Sequence, residues 1–191
     1  MAPISRGKQD LTRREDTRMF NKRYRTAVCL IVAATLCSLL PAGSAQDSGK
    51  MALFNCKEGS FSILMPSEPE HATKDLTSPA GPTTLHSYQA NDGGATYMVT
   101  YSDYGQLDVA KSLVNVVDGQ AKSLNGKVVA DKSLTVSGHP GRRVRIESKD
   151  FIFLTMVVVS GNRLYQVLFG MPQGAEPPPR AEEFLSSFKI P

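Results

Sequence analysis

Cysteine is scarce in this chain of 191 residues, with three in all, at positions 29, 37 and 56. The first two fall in an N-terminal segment that reads as a removable leader. Cys56 is then alone, which excludes an intramolecular disulfide in the mature chain. The fold must rest on its core, and about 146 residues can bury roughly 70% of their unfolded surface. A lipid anchor is also unsupported, because Val28 and Leu36 stand before Cys29 and Cys37 where lipoprotein processing favours a small residue. Long apolar runs are wanting too. The run 27–40 is 14 residues, short for a bilayer that asks for about 20.

Histidine is as sparse as cysteine. His71, His86 and His139 are the three in the chain, and none stands at the i, i+2 or i, i+4 spacing of a metal site. No G-x-S-x-G elbow, G-x-x-x-x-G-K-[ST] loop or G-x-G-x-x-G turn occurs, so the sequence offers no motif for a serine nucleophile or for nucleotide phosphates. Excess charge is missing from the mature part. Residues 1–45 carry 8 Lys+Arg against 3 Asp+Glu, whereas 46–191 carry 14 against 15. The pI near 9.0 therefore belongs to the leader and is no nucleic-acid signal.

What is present at the N-terminus has the order of a secretory signal peptide. Lys22, Arg23 and Arg25 precede the apolar run, Pro41 breaks it, and Gly43-Ser44-Ala45 supplies small residues for cleavage after Ala45. Met19 opens a leader of ordinary length and is the expected translation start. Arg13-Arg14 is followed by Glu15 and Asp16, unlike a twin-arginine signal. The expected organisation is a signal peptide at 1–45, a flexible lead-in at 46–52 and one domain at 53–191.

Within that domain, alternation and turn residues predict strands. Residues 53–56 and 61–65 flank Glu58-Gly59. Residues 73–77 and 83–91 flank Pro79-Ala80-Gly81-Pro82, and Asp92-Gly93-Gly94 leads into 95–102. Val109, Leu113, Val116, Val117, Ala121 and Leu124 then form one helical stripe, with Asp108 as N-cap and Gly126 as the C′ residue. After the helix come 127–136, a turn at 137–141, 142–149, and 151–159, whose near-continuous apolar run predicts burial on both faces. Gly161-Asn162 turns the chain into 163–170. A closing helix carries Ala181, Phe184, Leu185 and Phe188 on one face. The order is read as β-β-β-β-α-β-β-β-β-α. Its short links require antiparallel pairing, so the fold class is α+β, an antiparallel sheet with helices packed on its faces.

The segments FSILMPSEP, YMVTYSDY, LTVSGHPGRRVRIES and NRLYQVLFG, with the closing AEEFLSSFKI, give the chain a resemblance to exported bacterial proteins of the PsbP-like fold, over about residues 53–190. That family includes PsbP photosystem subunits and DcrB-type and LpqN-type lipoproteins. The resemblance implies a non-enzymatic binding or assembly protein of the cell envelope, periplasmic or secreted. Some PsbP subunits are associated with metal, but no ligand set maps onto this chain.

Two clusters are candidates for a ligand or partner surface. Arg142, Arg143, Arg145 and Lys149 make a basic stretch, with Arg163 on a nearby strand. Arg143 and Arg145 share a side and can hold an anion or a lipid headgroup; Glu147 and Asp150 can equally balance them on a solvated face. Tyr88, Tyr97, Tyr101 and Tyr104 can line a groove, although Tyr97 and Tyr101 also suit a core under the first helix. The expected surface is Tyr88, Tyr104, Arg143, Arg145 and Arg163, facing an envelope protein or a small anionic ligand. No catalytic residue, metal or cofactor is expected, nor nucleic acid, nor an integral membrane span after cleavage. Cys56, with only Lys57 beside it to activate it, reads as structural. The alternative is a small exported metal-binding protein or hydrolase using His71, His86 or His139, and a third reading is a structural envelope component.

Overall fold

The computed structural model describes residues 50–78 and 81–191. The leader, most of the lead-in and Pro79-Ala80 lie outside the described residues. Five strands precede the first helix, one more than the expected order holds: β1 (Ala52–Cys56), β2 (Phe61–Met65), β3 (Glu70–Ser78), β4 (Gly81–Asp92) and β5 (Ala95–Asp103). Helix α1 (Val109–Ser123) follows, then β6 (Lys127–Val136), β7 (His139–Glu147), β8 (Phe151–Ser160), β9 (Arg163–Pro172) and α2 (Pro179–Ser186). The class is α+β, dominated by antiparallel sheet. All five lie on segments expected as strands, so the order β-β-β-β-α falls one short of the segments it summarises; β1 and β2 pair only with each other as a separate hairpin.

The other seven strands form one sheet in the order β3-β4-β5-β9-β8-β7-β6. Every neighbouring pair is antiparallel. Sequential hairpins build each half, and α1 carries the chain from β5 to the far edge at β6, so that β9 returns to lie beside β5. The tight turns use left-handed residues, as two-residue hairpin loops require: Gly93 and Gly94 at φ 57° and 79°, Ser137 and Gly138 at 49° and 85°. The turn expected over 137–141 is thus only Ser137-Gly138, and His139 already pairs with Val136.

Each face of the sheet has its own core. On one, Leu113, Val116 and Val117 of α1 pack on Val144, Ile146, Phe153, Val157, Val159, Leu164 and Leu168. On the other, the β1–β2 hairpin and α2 bring Phe61, Ile63, Met65, Phe184, Leu185 and Phe188 onto Tyr97, Val99, Tyr101, Tyr165, Val167 and Phe169. Tyr97 and Tyr101 are core residues, but beneath the hairpin and α2 rather than beneath α1. Strand parity decides this: Met98 points to α1, so its neighbours point away. The expected cover on both faces of β8 is present, with Val157 and Val158 both buried. Met51, placed in the lead-in, is buried against the hairpin core.

Helix α1 begins as expected, with Asp108 Oδ1 accepting from Lys111 N at 3.1 Å. Its end lies one residue before the expected glycine. Asn125 takes the left-handed conformation, φ 49°, and its N–H bonds Lys122 O while Gly126 N bonds Ala121 O at 2.8 Å. That pair of bonds is a Schellman cap. Gly126 is needed for space instead, since a Cβ there would lie 2.6 Å from Ile146 Cγ2. No helix among the described residues is long and apolar enough to cross a membrane.

Candidate functional site

The β1–β2 hairpin lies across β4, β5 and β9, and two features meet at its turn: a stack of aromatic rings on the sheet and an open groove beside it. The stack follows from register. His71 of β3 pairs with Tyr88 of β4, and His86 of β4 pairs with Tyr101 of β5, so all four side chains leave the same face. Their rings stand nearly parallel, as rungs repeating across the strands. His71 lies 4.4 Å from Tyr88 and 5.7 Å from His86. His86 lies 4.5 Å from Tyr101 at an interplanar angle of 3°. The Arg163 guanidinium caps the stack, 4.7 Å from the Tyr101 centroid, a cation–π arrangement.

Arg163 is fixed by a two-pronged bond to Asp103, Nε to Oδ1 at 2.6 Å and Nη2 to Oδ2 at 2.7 Å, and by donating to Glu58 O at 3.1 Å. That guanidinium holds the Asp103 carboxyl below the usual carboxylate range. The hairpin turn is locked from below as well, with Tyr165 Oη donating to Gly59 O at 2.8 Å and Gly59 N donating to Cys56 Sγ at 3.2 Å. Cys56 is buried, as a structural cysteine would be. Phe61 sits at the centre of the aromatic contacts, with ring centroids 5.7 Å from Tyr88 and Phe188 and 6.2 Å from Tyr165.

Burial governs the protonation of this region. Tyr101 is pushed up to about 12, by burial first and then by the Glu58 charge. Burial and the neighbouring Cys56 thiol also raise Tyr88, and burial raises Tyr165. These phenols stay neutral at physiological pH. Tyr101 Oη and His86 Nδ1 are buried without a hydrogen-bond partner among the described residues, and Glu58 Oε1 stands 4.0 Å from His86 Nδ1.

The groove opens at the same turn. It has a volume of about 520 Å³ and is lined by Asn55, Cys56, Lys57, Ser60, Phe61, Ser62, Ser137, Lys189, Ile190 and Pro191. Its walls are held by main-chain bonds. Ser62 and Lys189 exchange two N–H···O bonds of 2.9 Å, and Ile190 N donates to Ser137 Oγ at 3.1 Å.

The structure divides the surface expected from sequence. Tyr88 and Arg163 join the stack at its two ends, and His71 and His86 join it between them. Arg143 and Arg145 lie elsewhere and are already satisfied. Arg143 makes two bonds to Glu182 on α2, and Arg145 bonds Glu147 at 2.7 Å and Glu176 at 3.0 Å. Tyr104 packs with the α1 core on the opposite side of the sheet. His139 is apart from the other histidines, its Nε2 3.3 Å from Ser160 Oγ. Among the described residues no group of three or more His, Cys, Asp or Glu is placed to hold a metal. Sequence reading missed Glu58, Lys57, Ser60, Ser137 and Lys189. They come together through tertiary contacts, and no spacing in the chain signals them.

No family model matches this chain, and no curated protein matches it. Among solved structures it is similar to a protein from Bacteroides thetaiotaomicron VPI-5482, at 12% identity and a TM-score of 0.44, over 76% of this chain and 49% of that one. This chain thus spans about half the length of that protein. It is also similar to a Pseudomonas aeruginosa protein of unknown function, PA94, at 14% identity and a TM-score of 0.34, over 65% of this chain and 85% of that one.

Proposed function

We propose that this chain is an exported protein of the PsbP-like fold whose mature domain serves the cell envelope as a non-enzymatic binding or assembly protein, with the hairpin surface as its contact region. The leader at 1–45 supports the address. The groove supports the activity: a concavity of about 520 Å³ lined by hydroxyls, an amide and two lysines over an apolar floor is suited to holding a ligand. Small-molecule sites combine these elements, an apolar body and a few placed polar groups.

A photo-cross-linking residue in place of Ser60, compared with one in place of Val114 on the exposed side of α1, tests the reading in cells. A defined adduct from the Ser60 position and none from Val114 is the expected result. Equal labelling at both, or none at Ser60, refutes the hairpin surface as the contact region.

A further inference from the structure

We infer that the groove beside the hairpin turn is a site for the oxyanion of a small ligand, a phosphate or carboxylate, held between Lys57 and Lys189. This deepens the binding reading above and rests on it.

Every arginine among the described residues sits against a carboxylate: Arg142 on Asp131, Arg143 on Glu182, Arg145 on Glu147 and Glu176, Arg163 on Asp103, and Arg180 on Asp92. The basic strand that looked suited to an anion is therefore neutralised by its own fold. Lys57 and Lys189 join no ion pair among the described residues, as is true of several other surface lysines; what sets these two apart is that both line the same concavity. Pro191 also lines the groove, and no ion pair joins it to either lysine.

Three non-glycine residues among those described have positive φ: Ser60 at 51°, Asn125 at 49° and Ser137 at 49°. Asn125 caps a helix, Ser137 stands in the two-residue β6–β7 turn that needs a left-handed residue, and Ser60 closes the β1–β2 turn; both serines line the groove. A serine in this region costs about 1–2 kcal/mol that glycine would not. Ser137 has a structural use for its hydroxyl, the bond from Ile190 N. Ser60 makes no such bond; its main-chain N–H closes the turn onto Lys57 O at 3.2 Å, and its side chain is left to the groove. Strained positions of this kind cluster at ligand sites.

The groove's walls are also rigid. Lys57 belongs to a turn tied to the sheet by Tyr165 and Arg163, and Lys189 to a two-bond bridge with Ser62. The main chain beneath both cations is set before a ligand arrives, which lowers the ordering cost of binding.

The test follows amide shifts of the mature protein on titration with inorganic phosphate, and separately its flotation with vesicles of phosphatidylglycerol or of phosphatidylcholine. Saturating shifts confined to residues 55–62, 137 and 189–190, weakened about tenfold or more in Lys57→Gln/Lys189→Gln, with no flotation, assign the site to a free anion. Flotation with phosphatidylglycerol alone, lost in the same variant, assigns it to a lipid headgroup. Ser60→Gly separates binding from folding, because it relieves strain: weaker phosphate binding with an unchanged or raised Tm is expected. Absent or scattered shifts without flotation, or shifts and flotation that survive the double variant, overturn the site. A cross-linked adduct at Ser60 still formed by that double variant leaves the binding reading standing.

Discussion

Replacing Phe61 by alanine should nearly uncouple the hairpin from the sheet. The ring is 3% exposed and has five aromatic neighbours, Phe54, Tyr88, Tyr101, Tyr165 and Phe188, with centroids between 5.7 and 6.4 Å away. Truncating a buried phenylalanine costs about 3–5 kcal/mol. Aromatic pairs contribute roughly 0.5–1.5 kcal/mol each beyond area, which places this site at the upper end. Against a total stability of about 5–15 kcal/mol, that is a third or more of what holds the domain together. At about 4 °C per kcal/mol for a domain of this size, Tm should fall by about 15–20 °C. Urea unfolding followed by circular dichroism measures the loss directly, as a lower midpoint at constant m. Phe61→Leu, which keeps most of the volume, should lose well under half as much. Amide exchange adds a local reading: β1 and β2 should lose protection before β8 and β9 do. A cost below about 1 kcal/mol for Phe61→Ala, with hairpin amides still protected, would refute the claim that this ring anchors the hairpin.

Alkaline titration should show no ordinary tyrosine in the folded domain. Burial raises Tyr88, Tyr97, Tyr101, Tyr104 and Tyr165 alike. An acid whose folded pKa lies above its unfolded one gives stability in full below the unfolded value, near 10, and loses it as pH climbs through the folded value. For Tyr101 that window ends at about 12. Tyrosinate absorbance near 295 nm should therefore rise only together with loss of the far-ultraviolet signal; a rise centred on pH 10 in intact protein would contradict the burial. Gly59→Ala should destabilise by about 1–3 kcal/mol, because its Cβ would lie 2.6–2.7 Å from Phe61 and Tyr101; an unchanged urea midpoint would show that the turn is not clamped there. Asn125→Gly should stabilise by a few tenths to about 1 kcal/mol, since it relieves a left-handed cap. A lower Tm would mean that the asparagine side chain does more than occupy the turn.

Local chemistry was legible in this chain wherever one segment decides the outcome. The apolar run at 151–159 reads as a strand covered on both faces because neither face has polar residues to spare, and Asp108 reads as a cap because its bond reaches only three residues. Facing was harder. Tyr97 and Tyr101 alternate with Met98 and Thr100, and the alternation says that they share a side without saying which layer covers it. The helix stop depended on a competition between Asn125 for the left-handed turn and Gly126 for space against Ile146, and the steric term lies 20 residues away in sequence. The site was least legible. Arg143 and Arg145 look like free cations until α2 and the loop before it bring Glu182 and Glu176 onto them. The His–Tyr stack exists only through the β3–β4 and β4–β5 registers, which hairpin lengths fix and composition does not. The groove joins residues 55–62 to 137 and 189–191, separations over which a single sequence has no pattern to show.

Native mass spectrometry of the protein released from its own cell envelope shows whether the mature domain carries a ligand or partner. The expected result is a chain beginning at Gln46 that carries a partner, or a bound small anion that is released on raising the salt and is absent from Lys57→Gln/Lys189→Gln. A chain that retains its leader, or a mature chain that emerges bare under every gentle condition and in every preparation, would contradict it.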